Sequence, residues 1–168
     1  SPAAKAAGLP GQDTSEDGPV DWKSADRMPA IKSVMTPFPY FVEIDAPIAA
    51  AEQIMREHGV RHVPVQENGE PVGVVSQRDV GFLVNPALGD SERSRISVRH
   101  ICIRDDVFVV ELETSLAYVL SEMARRHVGS ALVVRKGRLA GIFTTTDACR
   151  SMADLLRDRY EPGPDEVA

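Results

Sequence analysis

The stretches GVVSQRD (residues 73–79) and GIFTTTD (residues 141–147) carry a glycine, an apolar pair, a hydroxyl and an aspartate in the same order. Asp79 and Asp147 stand 68 positions apart. Sliding the chain by that offset, without a gap, also matches Val42 with Val110, Glu43 with Glu111, Ala49 with Ala117 and Met55 with Met123. Val60 then meets Val128, Val65 meets Val133, Gly69 meets Gly137 and Gly73 meets Gly141. Identities that need no insertion and fall mainly on apolar and glycine positions imply a duplicated structural unit.

Both copies show the same order of elements. FVEI (41–44) and FVVEL (108–112) are apolar and rich in β-branched residues over strand length. Next comes helical periodicity, with Ile48, Ala51, Ile54 and Met55 in the first copy and Leu116, Val119, Leu120 and Met123 in the second. Pro47 and Ser115 stand where a helix start tolerates or prefers them. HVPV and SALVV predict short buried strands, and Gly69 and Gly137 supply the positive backbone angle of a tight turn. A further strand, VGVVS or AGIFT, leads into a helix at the aspartate. The expected fold class is α+β, two pseudo-symmetric β-α-β-β-α repeats packed through their sheets. The expected boundaries are a flexible leader over 1–26, a first repeat over 27–84, a linker over 85–97, a second repeat over 98–157 and a disordered tail over 158–168. The leader is read so because its Ala, Gly, Pro and Ser offer little apolar area against the entropy of ordering; Trp22 and Met28 are the first residues with something to bury.

The chain of 168 residues is 43% apolar and 26% charged, as in an ordinary globular protein. A net charge of -6 disfavours non-specific binding to nucleic acid or to an anionic membrane. Apolar runs such as ALVV (131–134) are too short to span a bilayer. Cys102 and Cys149 lack C-x-x-C spacing and read as reduced, small apolar side chains, so a cytoplasmic setting is expected. Two cysteines and four scattered histidines do not make a metal site, and none is expected. No phosphate-binding glycine loop and no nucleophile–base–acid arrangement marks an enzyme, and none is expected.

A Ser or Thr three residues before an Asp, at a strand-to-helix junction, has two readings. The hydroxyl and carboxylate can cap the free amides of the first helical turn and do nothing else. Alternatively the carboxylate accepts hydrogen bonds from a ribose diol, while the hydroxyl and helix amides favour a phosphate.

With VMTP (34–37), GVRHVPV (59–65) and VGVVSQRD (72–79) in one copy, and HVGSALVV (127–134) and GRLAGIFTTTD (137–147) in the other, the chain resembles a tandem pair of CBS domains. CBS domains are the modules named after cystathionine beta-synthase. The resemblance covers about Ala30 to Leu156. It implies two clefts between packed sheets that take adenosine-containing ligands such as AMP, ADP, ATP or S-adenosylmethionine, none of them a required cofactor. Carried over by position, Asp79 and Asp147 would hold ribose hydroxyls, and Ser76 and Thr144 would face phosphate or ribose. His62, Val63 and Pro64, and Ser130 and Ala131, would border the base. Thr36 and the chain near Tyr40 would close the first cleft, with Val107 matching in the second. Arg61, His62 and Arg78 would favour phosphate in the first cleft, whereas Thr146 stands in the second where many members of the family carry Arg. The implied function is non-catalytic: the pair senses an adenine nucleotide and relays its state to an effector protein. The rival is a ligand-free dimerisation scaffold. The stripes containing Ile54 and Met55, and Leu120 and Met123, exceed what two small sheets cover, which leads to the expectation of a homodimer.

Overall fold

The computed structural model describes residues 4–6, 22–23, 26–38, 40–83, 87–102 and 107–161. Two short strands come first, β1 (Ala4–Ala6) and β2 (Thr36–Pro37). The first unit then runs β3 (Tyr40–Glu43), α1 (Ile48–His58), β4 (His62–Glu67), β5 (Glu70–Ser76) and α2 (Gln77–Leu83). A one-turn helix, α3 (Asp90–Arg93), follows. The second unit repeats the order as β6 (Val109–Glu111), α4 (Leu116–Arg126), β7 (Ser130–Arg135), β8 (Arg138–Thr144) and α5 (Thr145–Tyr160). The protein is therefore a mixed α+β fold of two β-α-β-β-α units.

The repeat persists in local detail. In each unit the middle strand pairs parallel to the first and antiparallel to the third. Each hairpin carries a register shift at the same place, between Val65 and Gln66 and between Val133 and Val134. Each tip puts two successive residues at positive φ, Asn68 and Gly69 (53° and 82°) and Lys136 and Gly137 (50° and 76°). That turn matches the twist of the flanking strands, and Gly at its second position avoids the Cβ penalty.

The two units exchange segments. The first sheet has the order β1-β3-β4-β5, but the second is β2-β8-β7-β6, so a strand that precedes the first unit completes the second unit's sheet. A 3-10 turn at Ile31–Ser33 follows the same route: the amides of Ile31 and Lys32 donate to the carbonyls of Thr114 and Leu112 (2.8 and 3.2 Å). Reciprocally, the turn at Val98–His100 docks on the first unit, with Val98 and Arg99 donating to Ala46 and Ile44 (2.8 and 2.7 Å). Ile31 is accordingly buried in the second unit's core, and Val98 in the first's. Each unit offers unpaired carbonyls beside its first helix, and the other unit's turn satisfies them.

Gly141 marks how closely β2 approaches. A Cβ there would lie 2.6 Å from the Thr36 carbonyl oxygen and 2.9 Å from Met35 Sδ. Glycine lets the edge strand reach β8.

Three expectations change. Ile54, Met55 and Met123 are buried within the chain, and Leu120 is half-buried against the second core, because sheets and exchanged turns together cover both helix stripes. Ala4–Ala6, inside the stretch read as a leader, forms an edge strand antiparallel to β3, taking main-chain groups that the short β3 leaves open. Most of the remaining leader lies outside the described residues. Finally, α5 continues to Tyr160, into the stretch read as tail, and Asp158 on it accepts an ion pair from Lys23 (2.5 Å).

Candidate ligand clefts

Each aspartate of the repeated motif sits in the first turn of a helix that leaves the third strand of its unit. At the β5–α2 junction the Ser76 amide donates to Asp79 Oδ2 (2.8 Å), and the Asp79 amide donates to Ser76 Oγ (3.1 Å). At the β8–α5 junction the Thr144 amide and hydroxyl both donate to Asp147 Oδ2 (2.9 and 3.0 Å), and the Asp147 amide donates to Thr144 Oγ1 (3.3 Å). Both motifs are thus helix caps of the reciprocal kind.

The junctions differ in what else they hold. Asp147 Oδ1 also accepts from the Thr36 hydroxyl (3.1 Å) and from Arg150 (3.2 Å), so both its oxygens are engaged in a residue only 7% exposed. Asp79 is half-buried, and among the described residues its Oδ1 accepts no hydrogen bond. Asp79 keeps an oxygen for a ligand hydroxyl; Asp147 would have to release Thr36 or Arg150 first.

A cleft lies at each aspartate, walled by both units. One, about 240 Å³, brings Asp79, Ser76 and His62 against Val107, Phe108, His127 and Ser130. The other, about 580 Å³, brings Asp147, Thr144, Thr146 and Arg150 against Thr36, Arg61 and His62. The sequence grouping is therefore crossed: Thr36 belongs with Asp147, and Val107 and Ser130 belong with Asp79. The exchange of β2 onto β8 carries Thr36 to the opposite junction, and Val107 packs against the first unit's core.

Other expected residues fall outside the clefts. Val63 and Ala131 are core side chains of their respective units, and Pro64 is buried within β4. Tyr40 stacks on the His58 ring (4.0 Å between centroids) and lines neither cleft. Arg78 is exposed on α2 and also lines neither, whereas Arg61 stands in the Asp147 cleft rather than the one it was expected to serve. The positive charge for a phosphate thus gathers at Asp147. Sequence reasoning missed Arg150, one helical turn beyond Asp147, and Phe108 and Val128 in the smaller cleft. Val128 was detectable as the repeat partner of Val60, which lines the larger cleft.

His62 lies on both clefts, at the start of β4 opposite Ser76. Burial pushes its imidazole below the usual 6.5; the Asp79 and Asp147 carboxylates pull it back up, and Arg61 and Arg78 add to the lowering. The folded state therefore prefers the neutral ring, and the unfolded state binds the proton more readily. That contribution to stability is complete above the unfolded value and is lost as pH falls through 6.5 and below. Urea midpoints should drop between about pH 7.5 and about pH 5.5, and His62→Gln should remove part of the drop. An unchanged slope in the variant would refute this assignment.

A family model described as the CBS domain matches residues 31–80 and 98–154, one match on each unit. The chain belongs to the CBS domain family. Among curated relatives, it is 30% identical over 124 residues to zinc metalloprotease MJ0392 of Methanocaldococcus jannaschii. That match takes 74% of this chain but only 32% of the relative, so the chain spans about a third of that relative's length. A solved Vibrio cholerae protein assigned to acetoin utilization (AcuB) superposes with a TM-score of 0.64 at 26% identity, covering 82% of this chain and 100% of its own. The CBS domain of a bacterial CNNM/CorC family Mg2+ transporter, solved in complex with ATP, gives a TM-score of 0.60 at 26% identity over 74% of this chain and 87% of that one. Among the described residues, no helix of this chain is long and apolar enough to cross a membrane, and no group of three or more His, Cys, Asp or Glu side chains is placed to hold a metal.

Proposed function

We propose that this CBS pair is a non-catalytic regulatory module that takes an adenosine-containing ligand of the AMP, ADP or ATP class in its interunit clefts and relays ligand state to an effector protein. The observation that carries the reading is the position of Asp79 and Asp147, each at the floor of a cleft whose far wall comes from the other unit. A ligand bridging such walls changes how the units sit against each other, which is what a partner can sense. ATP bound to the CNNM/CorC CBS domain supports the ligand class. The scaffold reading draws on Asp147, whose oxygens are occupied by its cap partner Thr144 and by Thr36 and Arg150.

The two readings separate in a thermal-stability panel of AMP, ADP, ATP and S-adenosylmethionine. A ligand of the folded state raises the midpoint with concentration by mass action. Asp79→Ala should weaken binding in its cleft by roughly 1.5–3 kcal/mol, the range for hydrogen bonds to a charged group. A panel with no concentration-dependent rise would leave only the cap.

The homodimer rests on a different surface from the one expected. Met152, Leu156 and Tyr160 recur every four residues along α5 and are 52%, 46% and 69% exposed. That spacing puts them on one helix face, an apolar strip suited to a second copy in a two-fold contact. The wild type should scatter light as a dimer at micromolar concentration. Leu156→Glu should give a monomer whose own stability changes by about 0.5 kcal/mol or less, since the side chain is exposed. A dimer unaffected by the charge would place the contact elsewhere.

A further inference from the structure

A third cavity, about 530 Å³, lies between the end of α1 and the start of α2 and meets the Asp147 cleft at residues 59–61, which line both. Its floor is apolar, with Met55 and Val80; its rim carries Arg56, Arg61 and Gln77. Among the described residues neither Arg56 nor Arg61 has an ion-pair or side-chain hydrogen-bond partner, and both are exposed. The one carboxylate that the described residues bring to the groove, Glu52, is neutralised by Arg93 at 2.6 Å. The Met55 carbonyl at the end of α1 is already taken by the amides of Gly59 and Val60, which lessens its repulsion of an anion. The charged side chains lining the groove without a partner are therefore both cationic, Arg56 and Arg61.

We infer that this groove is a subsite for an extended phosphate chain, making the Asp147 cleft selective for a nucleoside di- or triphosphate over a monophosphate. The inference rests on the adenosine reading of that cleft. A ribose diol at Asp147 Oδ1 replaces Thr36 and Arg150, and the released guanidinium meets the first phosphate. Arg61, shared by the two cavities, takes the next, and Arg56 holds the end of the chain. Guanidinium suits this role because its fork matches phosphate oxygens and its charge persists at every physiological pH. Arg56 is the selectivity determinant: it lines the groove and not the nucleoside cleft.

Calorimetric titration of the full chain with AMP, ATP and inorganic tripolyphosphate tests this, in the wild type and in Arg56→Gln. ATP should bind at least roughly tenfold more tightly than AMP, the lower bound for two added charge-assisted contacts, with a steeper loss in salt. Arg56→Gln should abolish most of that ratio while leaving AMP within about twofold, as expected for a group that does not touch it. Tripolyphosphate should compete with ATP and not with AMP. Equal affinities for AMP and ATP in the wild type would overturn the subsite and leave the adenosine reading standing. A variant that weakens both nucleotides alike, or that alters dimerisation alone, would overturn it as well. If no adenine nucleotide binds the wild type, the cleft reading falls and the subsite falls with it.

Discussion

Asp147→Ala is expected to lower the unfolding free energy by about 2–4 kcal/mol, more than a lost exposed cap, because several donors lose a charged acceptor at once. The Thr144 amide, the Thr144 hydroxyl, the Thr36 hydroxyl and Arg150 all converge on this buried carboxylate. The alanine variant leaves the Thr144 amide beside a helix start with nothing to accept its proton, and it unties β2 from the β8–α5 junction. Asp147→Asn keeps the volume and one acceptor oxygen and should lose about half as much. The repeat supplies an internal control. Asp79→Ala removes a half-buried carboxylate with a single capping exchange and should cost about 1 kcal/mol. Chemical denaturation of the three variants measures all of this. Equal losses at Asp79 and Asp147 would contradict the inequality of the two junctions.

Gly141→Ala carries the second large effect. Its new methyl would lie 2.6 Å from the Thr36 carbonyl oxygen, a backbone atom that no side-chain rotation can move aside. Either β8 bends or β2 leaves it, and overpacking of this kind costs about 1–3 kcal/mol. Losing β2 also moves Thr36 away from Asp147, so the variant should respond differently to any ligand of that cleft. Gly129→Ala is the matched control: no atom comes within 4 Å of its added methyl, and its backbone is not in the left-handed region. It should change stability by about 0.5 kcal/mol or less. If both alanines are neutral by denaturation, β2 does not hold the position described.

The duplicated unit was legible because repetition needs no knowledge of tertiary contacts. Strand, helix and turn recur at one offset, down to the paired positive φ at Gly69 and Gly137. The capping role of Ser76–Asp79 and Thr144–Asp147 was legible for the same reason, since it is settled within four residues. What the offset could not reveal is which unit a segment docks on. Thr36 was grouped with the wrong aspartate because β2 crosses to β8, and Val107 because it packs against the first unit's core, long-range choices with no local signature. Val63, Pro64 and Ala131 were assigned to cleft walls because both middle strands are buried along their lengths. Such a strand has no polar face in its sequence to separate core from cleft. Tyr40 was misplaced by its partner: it stacks on His58, the last residue of a helix that begins beyond it in the chain. The helix stripes at Ile54 and Leu120 were correct as apolar faces. Their occupant is this chain, and an open apolar face lies on α5, where Met152, Leu156 and Tyr160 repeat at an interval easily read as an ordinary core stripe.

A calorimetric titration of the intact wild-type protein with ATP and AMP, repeated with Asp79→Asn and Asp147→Asn, tests the ligand reading most directly. Binding with a dissociation constant below about 1 mM, weakened roughly tenfold or more by an asparagine that preserves the fold, is the predicted result. Heats indistinguishable from dilution for every nucleotide, with both asparagine variants changing stability alone, would contradict it and leave two helix caps in a scaffold.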